Sequence, residues 1–140
     1  MYKLILIVLL LPLTMNSQNI FGKWKTIDDE TGEAKSTVEI FQKNGKVFGK
    51  IIEIYNPKDR EALCNTCEGA EYNKPVLGLM IIKDLTQDGI YFKNGTIFDP
   101  EAGKTYKCRL SLDEDNPDIL MVRGYISFLY ATQYWERIES

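Results

Sequence analysis

Apolar and polar residues alternate along most of this chain in short, regular runs, a pattern that predicts strands rather than helices. The clearest run spans Thr105 to Leu112: Tyr106, Cys108, Leu110 and Leu112 share one face, and Thr105, Lys107, Arg109 and Ser111 the other. A period of two marks a half-buried antiparallel strand. Asp99-Pro100 and Gly103 read as the turn before it, glycine supplying a backbone conformation that a bulky residue resists. Residues 94–112 are therefore expected to form a hairpin around which the rest of the chain pairs.

The remaining runs extend this picture. Ile20 to Asp28 opens with Trp24 and Thr26 on one face, and Ser36 to Gln42 buries Val38 and Ile40. Asn44-Gly45 then predicts a tight type I′ hairpin turn. Val47 to Tyr55 is apolar on both faces, so its register is not readable from pattern. Asn56 as a cap and Pro57 behind it predict a brief helix inside a long connection running to Pro75. Gly78 to Leu85 is another strand, and residues 90–92 and 96–98 are either two short strands or one with a bulge. Leu120, Val122, Gly124 and Ile126 form one face of the next strand. The last sets Ala131, Gln133, Trp135 and Arg137 against Tyr130, Thr132, Tyr134 and Glu136. Short, evenly spaced strands joined by hairpins predict an all-β antiparallel up-and-down barrel of about eight strands, with one short helix in a long loop. Such an interior holds side chains or one small ligand.

Composition refines this reading in three places. Lys3 followed by the unbroken apolar run Leu4 to Leu11 and a short polar tail has the layout of a secretory signal peptide over residues 1–17. That leaves 18–140 as one barrel domain, exported to the periplasm or beyond. The charges, 17 basic against 20 acidic, are mixed along the chain with no basic stripe. Nucleic acid and anionic membrane are accordingly poor partners for this pattern. There is no histidine, which removes the commonest general base and metal ligand together and argues against an enzyme.

Several ordered segments then resemble the bacterial family known as domain of unknown function 2147. They are Phe21-Gly22-Lys23-Trp24, Gly49-Lys50-Ile51, Gly78-Leu79, residues 95–100 with Gly103-Lys104-Thr105-Tyr106, Arg123-Gly124-Tyr125, and Thr132-Gln133-Tyr134-Trp135-Glu136-Arg137. Gly22-Lys23-Trp24 also resembles the Gly-x-Trp signature of lipocalin-like (calycin) barrels. The resemblance implies an exported lipocalin-like barrel without an established activity. It implies too that Trp24 packs across the closed end against a late arginine, Arg137 or else Arg123, a cation–π contact of up to about 2 kcal/mol.

Cys64 and Cys67 are expected to form a disulfide stapling the long loop in an oxidising compartment. The alternatives are a redox pair, a zinc site short of ligands, or pairing of either cysteine with Cys108, which otherwise reads as a core residue. Asp99, Tyr106, Arg123, Tyr125, Gln133 and Trp135 are the candidate ligand-binding residues, converging at one end of the barrel. The competing reading gives Asp99 a turn, Tyr106 the core and Arg123 an exposed acid. No catalytic residue, cofactor or metal is expected. The leading function is non-enzymatic binding of a small, partly apolar, lipophilic molecule inside the barrel. The alternative is an interaction module of the cell envelope with a packed interior and an exposed apolar patch around Asn56 to Pro75.

Overall fold

Eight strands are laid down in chain order, each turning back on the one before. They are β1 (Gly22–Ile27), β2 (Ala34–Lys43), β3 (Lys46–Ile54), β4 (Met80–Asp88), β5 (Tyr91–Asp99), β6 (Lys104–Leu112), β7 (Ile119–Ile126) and β8 (Leu129–Arg137). In the computed structural model, which describes residues 19–139, β1 returns to β8 and the sheet closes as an up-and-down barrel. The signal-peptide expectation for residues 1–17 falls outside the described residues.

The hub hairpin forms as the pattern requires, with β5 and β6 paired from Phe92↔Leu110 to Asp99↔Lys104. Gly103 takes a φ of 68° and its N–H donates to the Asp99 carbonyl at 2.8 Å, closing the turn. Asn44 and Gly45 both hold positive φ, as a type I′ turn demands. Tyr91–Asp99 is one strand, with Ile90 in the turn before it. Asn94, at φ 69°, makes a bulge in β5, and the β5–β6 register shifts between Phe92 and Gly95. The short helix is a single 3₁₀ turn, Pro57–Asp59, with the Asn56 side chain accepting from the Lys58 N–H; a second 3₁₀ turn spans Gly69–Glu71.

Opposite residues of an antiparallel pair share a face, so register assigns the interior. Gly124 lies opposite Cys108 and Ala131, Val122 opposite Leu110 and Gln133, and Leu120 opposite Leu112 and Trp135. With Trp24, Val38, Ile40, Ile51, Ile82 and Leu85, these line the lumen. The seam between β1 and β8 is short. Trp24 pairs with Arg137 and Lys25 with Glu136, so among the described residues Leu129–Trp135 has strand pairing with β7 alone.

Candidate functional site

The two halves of the lumen differ. At the closed end Trp24, Val38, Ile40, Leu85, Leu110, Leu120 and Trp135 are almost completely buried and fill the space between strands. The Trp24 Nε1–H donates to the Ile20 carbonyl at 2.8 Å, drawing the chain before β1 beneath the barrel. Arg137 stacks its guanidinium over the Trp24 ring, 4.3 Å from the centroid. Its Nη2 donates to the carbonyls of Asn19 and Pro117 at 2.8 and 3.0 Å. Of the two arginines the resemblance offered for this contact, the structure brings Arg137 to Trp24 and leaves Arg123 on the opposite face of the wall.

Toward the other end the packing stops. Ala131 and Gln133 point inward by register, yet both are exposed. Around them Ile97, Tyr106 and Gly124 are only partly buried, and Thr26 and Ser36 share a 2.7 Å hydroxyl hydrogen bond on the same face. This open half of the lumen is the cup, and beneath it on the same inward face Val122, Cys108 and Trp135 are buried. Gly124 keeps it wide. A Cβ there would come within 3.4 Å of Tyr106 Cβ and 3.9 Å of Ile97 Cγ2. Gln133 links this buried layer to the rim: its Oε1 accepts from Trp135 Nε1–H at 3.2 Å and its Nε2 donates to Asp29 Oδ2 at 3.4 Å.

The rim is tied by charge. Lys35 Nζ lies 2.6 Å from Glu101 Oε1 and 3.8 Å from Asp28 Oδ2, joining the β1–β2 loop to the β5–β6 turn. Partial burial pulls the Lys35 pKa down, but the carboxylates of Glu101, Asp28 and Asp99 outweigh it and leave it raised. The amides of Glu30 and Thr31, donating to the Asp28 carboxylate, hold its pKa below the usual value.

The candidate ligand residues therefore divide. Tyr106, Gln133 and Trp135 share the inward face, with Gln133 bonded to Trp135 and Tyr106 beside Gly124. Asp99 sits at the rim with Oδ1 accepting from the amides of Glu101 and Ala102, a turn-forming duty. Arg123 and Tyr125 are elsewhere, because they occupy the odd positions of β7 that face out. Arg123 Nε donates to Thr132 Oγ1 at 2.9 Å and its guanidinium lies over Tyr130. Tyr125 packs against the same Tyr130 ring. The six residues do not converge.

The long connection is a fixed cover rather than a free loop. Cys64 and Cys67 form a disulfide and are buried. Cys64 exchanges backbone hydrogen bonds with Lys74 and Asn73, and Thr66 Oγ1–H donates to the Pro100 carbonyl at 2.7 Å. Cys108 stays a free thiol buried on the inward face, its pKa pushed up to about 12 by burial, which suits packing and not nucleophilic chemistry. Leu63 and Tyr72 in the connection are exposed, but the larger apolar surface is the tip between β7 and β8, with Phe128 86% and Leu129 63% exposed. The sequence carried a signal for that tip: Ile126, Phe128, Leu129 and Tyr130 crowd a two-residue turn where polar residues are the rule. Two open surface depressions, of about 580 and 280 Å³, lie outside the lumen, beside Tyr55 and Ile138 and beside Arg109 and Met121.

Comparison with known proteins agrees with this architecture. A family model described as an uncharacterized protein conserved in bacteria (DUF2147) matches residues 22–137. A solved structure, reported as protein HP1028 from the human pathogen Helicobacter pylori and as belonging to the lipocalin family, superposes with a TM-score of 0.74. It covers 87% of this chain and 84% of that one at 20% identity, a likeness of fold. No curated protein matches. Among the described residues no helix is long and apolar enough to cross a membrane.

Proposed function

We propose that this chain, which belongs to the DUF2147 family, is a non-enzymatic binding protein that holds a small, partly apolar molecule in the open half of its lipocalin-like barrel. One observation carries the reading: Ala131 and Gln133 face inward and are nevertheless exposed, so this half of the lumen is reachable from outside. The packed Trp24–Trp135 layer limits depth, which favours a small molecule over a long chain. Apolar contact comes from Ile97, Tyr106 and Val122, and the polar end of the ligand meets Gln133 and the Thr26–Ser36 hydroxyls. The buried disulfide and the apolar run after Lys3 support an exported protein.

Thermal unfolding across a set of small lipophilic compounds tests this. A true ligand at one hundred times its Kd adds about 2.7 kcal/mol of stability. The Ala131→Phe variant, which fills the cup, loses that gain. If no compound stabilises the protein, or the gain survives Ala131→Phe, the reading fails.

A second reading, an interaction module, is favoured by the exposed β7–β8 tip.

A further inference from the structure

The β7–β8 hairpin carries its side chains in an order of polarity. At the tip Ile126 and Leu129 close the ladder around Ser127-Phe128, with Ser127 at φ 55°, and Phe128, Leu129 and Ile126 all project into solvent. Next along the outer wall come Tyr125 and Tyr130, opposite one another with ring centroids 5.9 Å apart. Behind them the register sets Lys107 beside Tyr125 and Arg109 beside Arg123. Among the described residues no carboxylate lies within ion-pair distance of Lys107, Arg109 or Arg123. The two guanidiniums rest instead on tyrosine rings, Arg123 on Tyr130 at 4.3 Å and Arg109 on Tyr91 at 4.2 Å. The cations look scattered in the sequence; the β6–β7 register gathers them on one face.

We propose that this hairpin docks the protein on an anionic lipid bilayer, with Phe128 and Leu129 entering the acyl region. Tyr125 and Tyr130 then sit at headgroup level, and Arg123 and Lys107 meet lipid phosphates. Apolar tip, tyrosine belt and cations repeat the depth profile of a membrane interface, in which aromatic rings occupy the boundary and basic groups the charged surface. A two-residue turn is convex, so lipid accommodates it without a shaped groove. Asp29 lies beside Gln133 on the inner side of β8, so the cations of the hairpin are on its outer side, while Phe128 and Leu129 at the tip lead into the lipid. The docking requires no occupant in the cup.

Co-sedimentation of the full chain with vesicles of mixed phosphatidylglycerol and phosphatidylcholine, against phosphatidylcholine alone, tests this. Binding is expected to favour the anionic vesicles and to weaken at high salt. The Arg123→Glu variant should bind at least about fivefold less, the effect of a single surface cation. The Phe128→Ser/Leu129→Ser variant should bind at least about tenfold less, since both side chains lose acyl burial. The Phe128→Trp variant reads depth directly, because Trp24 and Trp135 are buried and beyond the reach of lipid. Its added emission should shift to the blue and be quenched by brominated lipid. Sedimentation of the double variant at the wild-type level overturns the proposal, as does emission indifferent to brominated lipid. So does a chain that ignores the anionic vesicles, whether or not it self-associates through Phe128.

Discussion

Arg137, near the end of the chain, lies flat on Trp24, near its beginning, and spans the seam at which the barrel closes. The same guanidinium satisfies the carbonyls of Asn19 and Pro117, so one side chain binds the segment before β1, the β6–β7 loop and the indole together. Lysine keeps the charge but not the planar fork. Arg137→Lys is expected to cost about 2–3 kcal/mol in urea unfolding, from lost charged hydrogen bonds and ring stacking. Arg123→Lys, on the outer wall, should stay within about 0.5 kcal/mol of wild type.

Two glycines that look alike in sequence should respond differently to alanine. A Cβ on Gly95 runs into the β4 backbone, 2.8 Å from the Asp84 carbonyl carbon and the Leu85 nitrogen, and backbone does not yield. Gly95→Ala should cost about 3 kcal/mol, at the upper end of overpacking. Gly124→Ala meets only side-chain atoms at 3.4 Å and beyond, and should cost less than about 1 kcal/mol. Denaturant midpoints of the two variants separate these outcomes.

Much of this was legible in the sequence, and what was not has physical reasons. Period-two alternation put Tyr106 with Cys108 and Gln133 with Trp135 on shared strand faces, and turn chemistry found Asn44-Gly45 and Gly103. Asn94-Gly95 read equally as a turn or a bulge, because both ask for positive φ at Asn94; only the strands on either side decide. Arg123 and Tyr125 are polar and aromatic residues expected to converge with Gln133 and Trp135 at one end of the barrel, but strand alternation turns both to the outer wall. The open edge of β8 was invisible because it depends on how far β1 extends, a property of another segment.

The Cys108 thiol titrates in a predictable direction. Its folded pKa of about 12 lies above the unfolded value of 9.0, so the fold holds the proton longer than the unfolded chain does. Its contribution is fully present below pH 9.0 and is lost as pH rises toward 12. Above pH 9.0, wild type should lose stability relative to Cys108→Ala by up to about 1.4 kcal/mol per pH unit. Native protein should resist alkylation at mildly alkaline pH; rapid labelling would contradict this.

The Cys64–Cys67 bridge closes a very short loop, with a sequence separation of 3, and its chain-entropy contribution is correspondingly small, about 2 kcal/mol. Reduction should lower stability by no more than that, leave the strand signal in circular dichroism intact, and raise hydrogen exchange at Ala62, Cys64 and Asn73. A collapse of the barrel on reduction would contradict this account.

Native mass spectrometry of the protein purified from its own host tests the binding claim without choosing a compound in advance. The account predicts a retained small-molecule mass on wild type that is missing from the Ala131→Phe variant purified in the same way. A wild-type chain with no retained mass, or a mass that persists unchanged in Ala131→Phe, would contradict it.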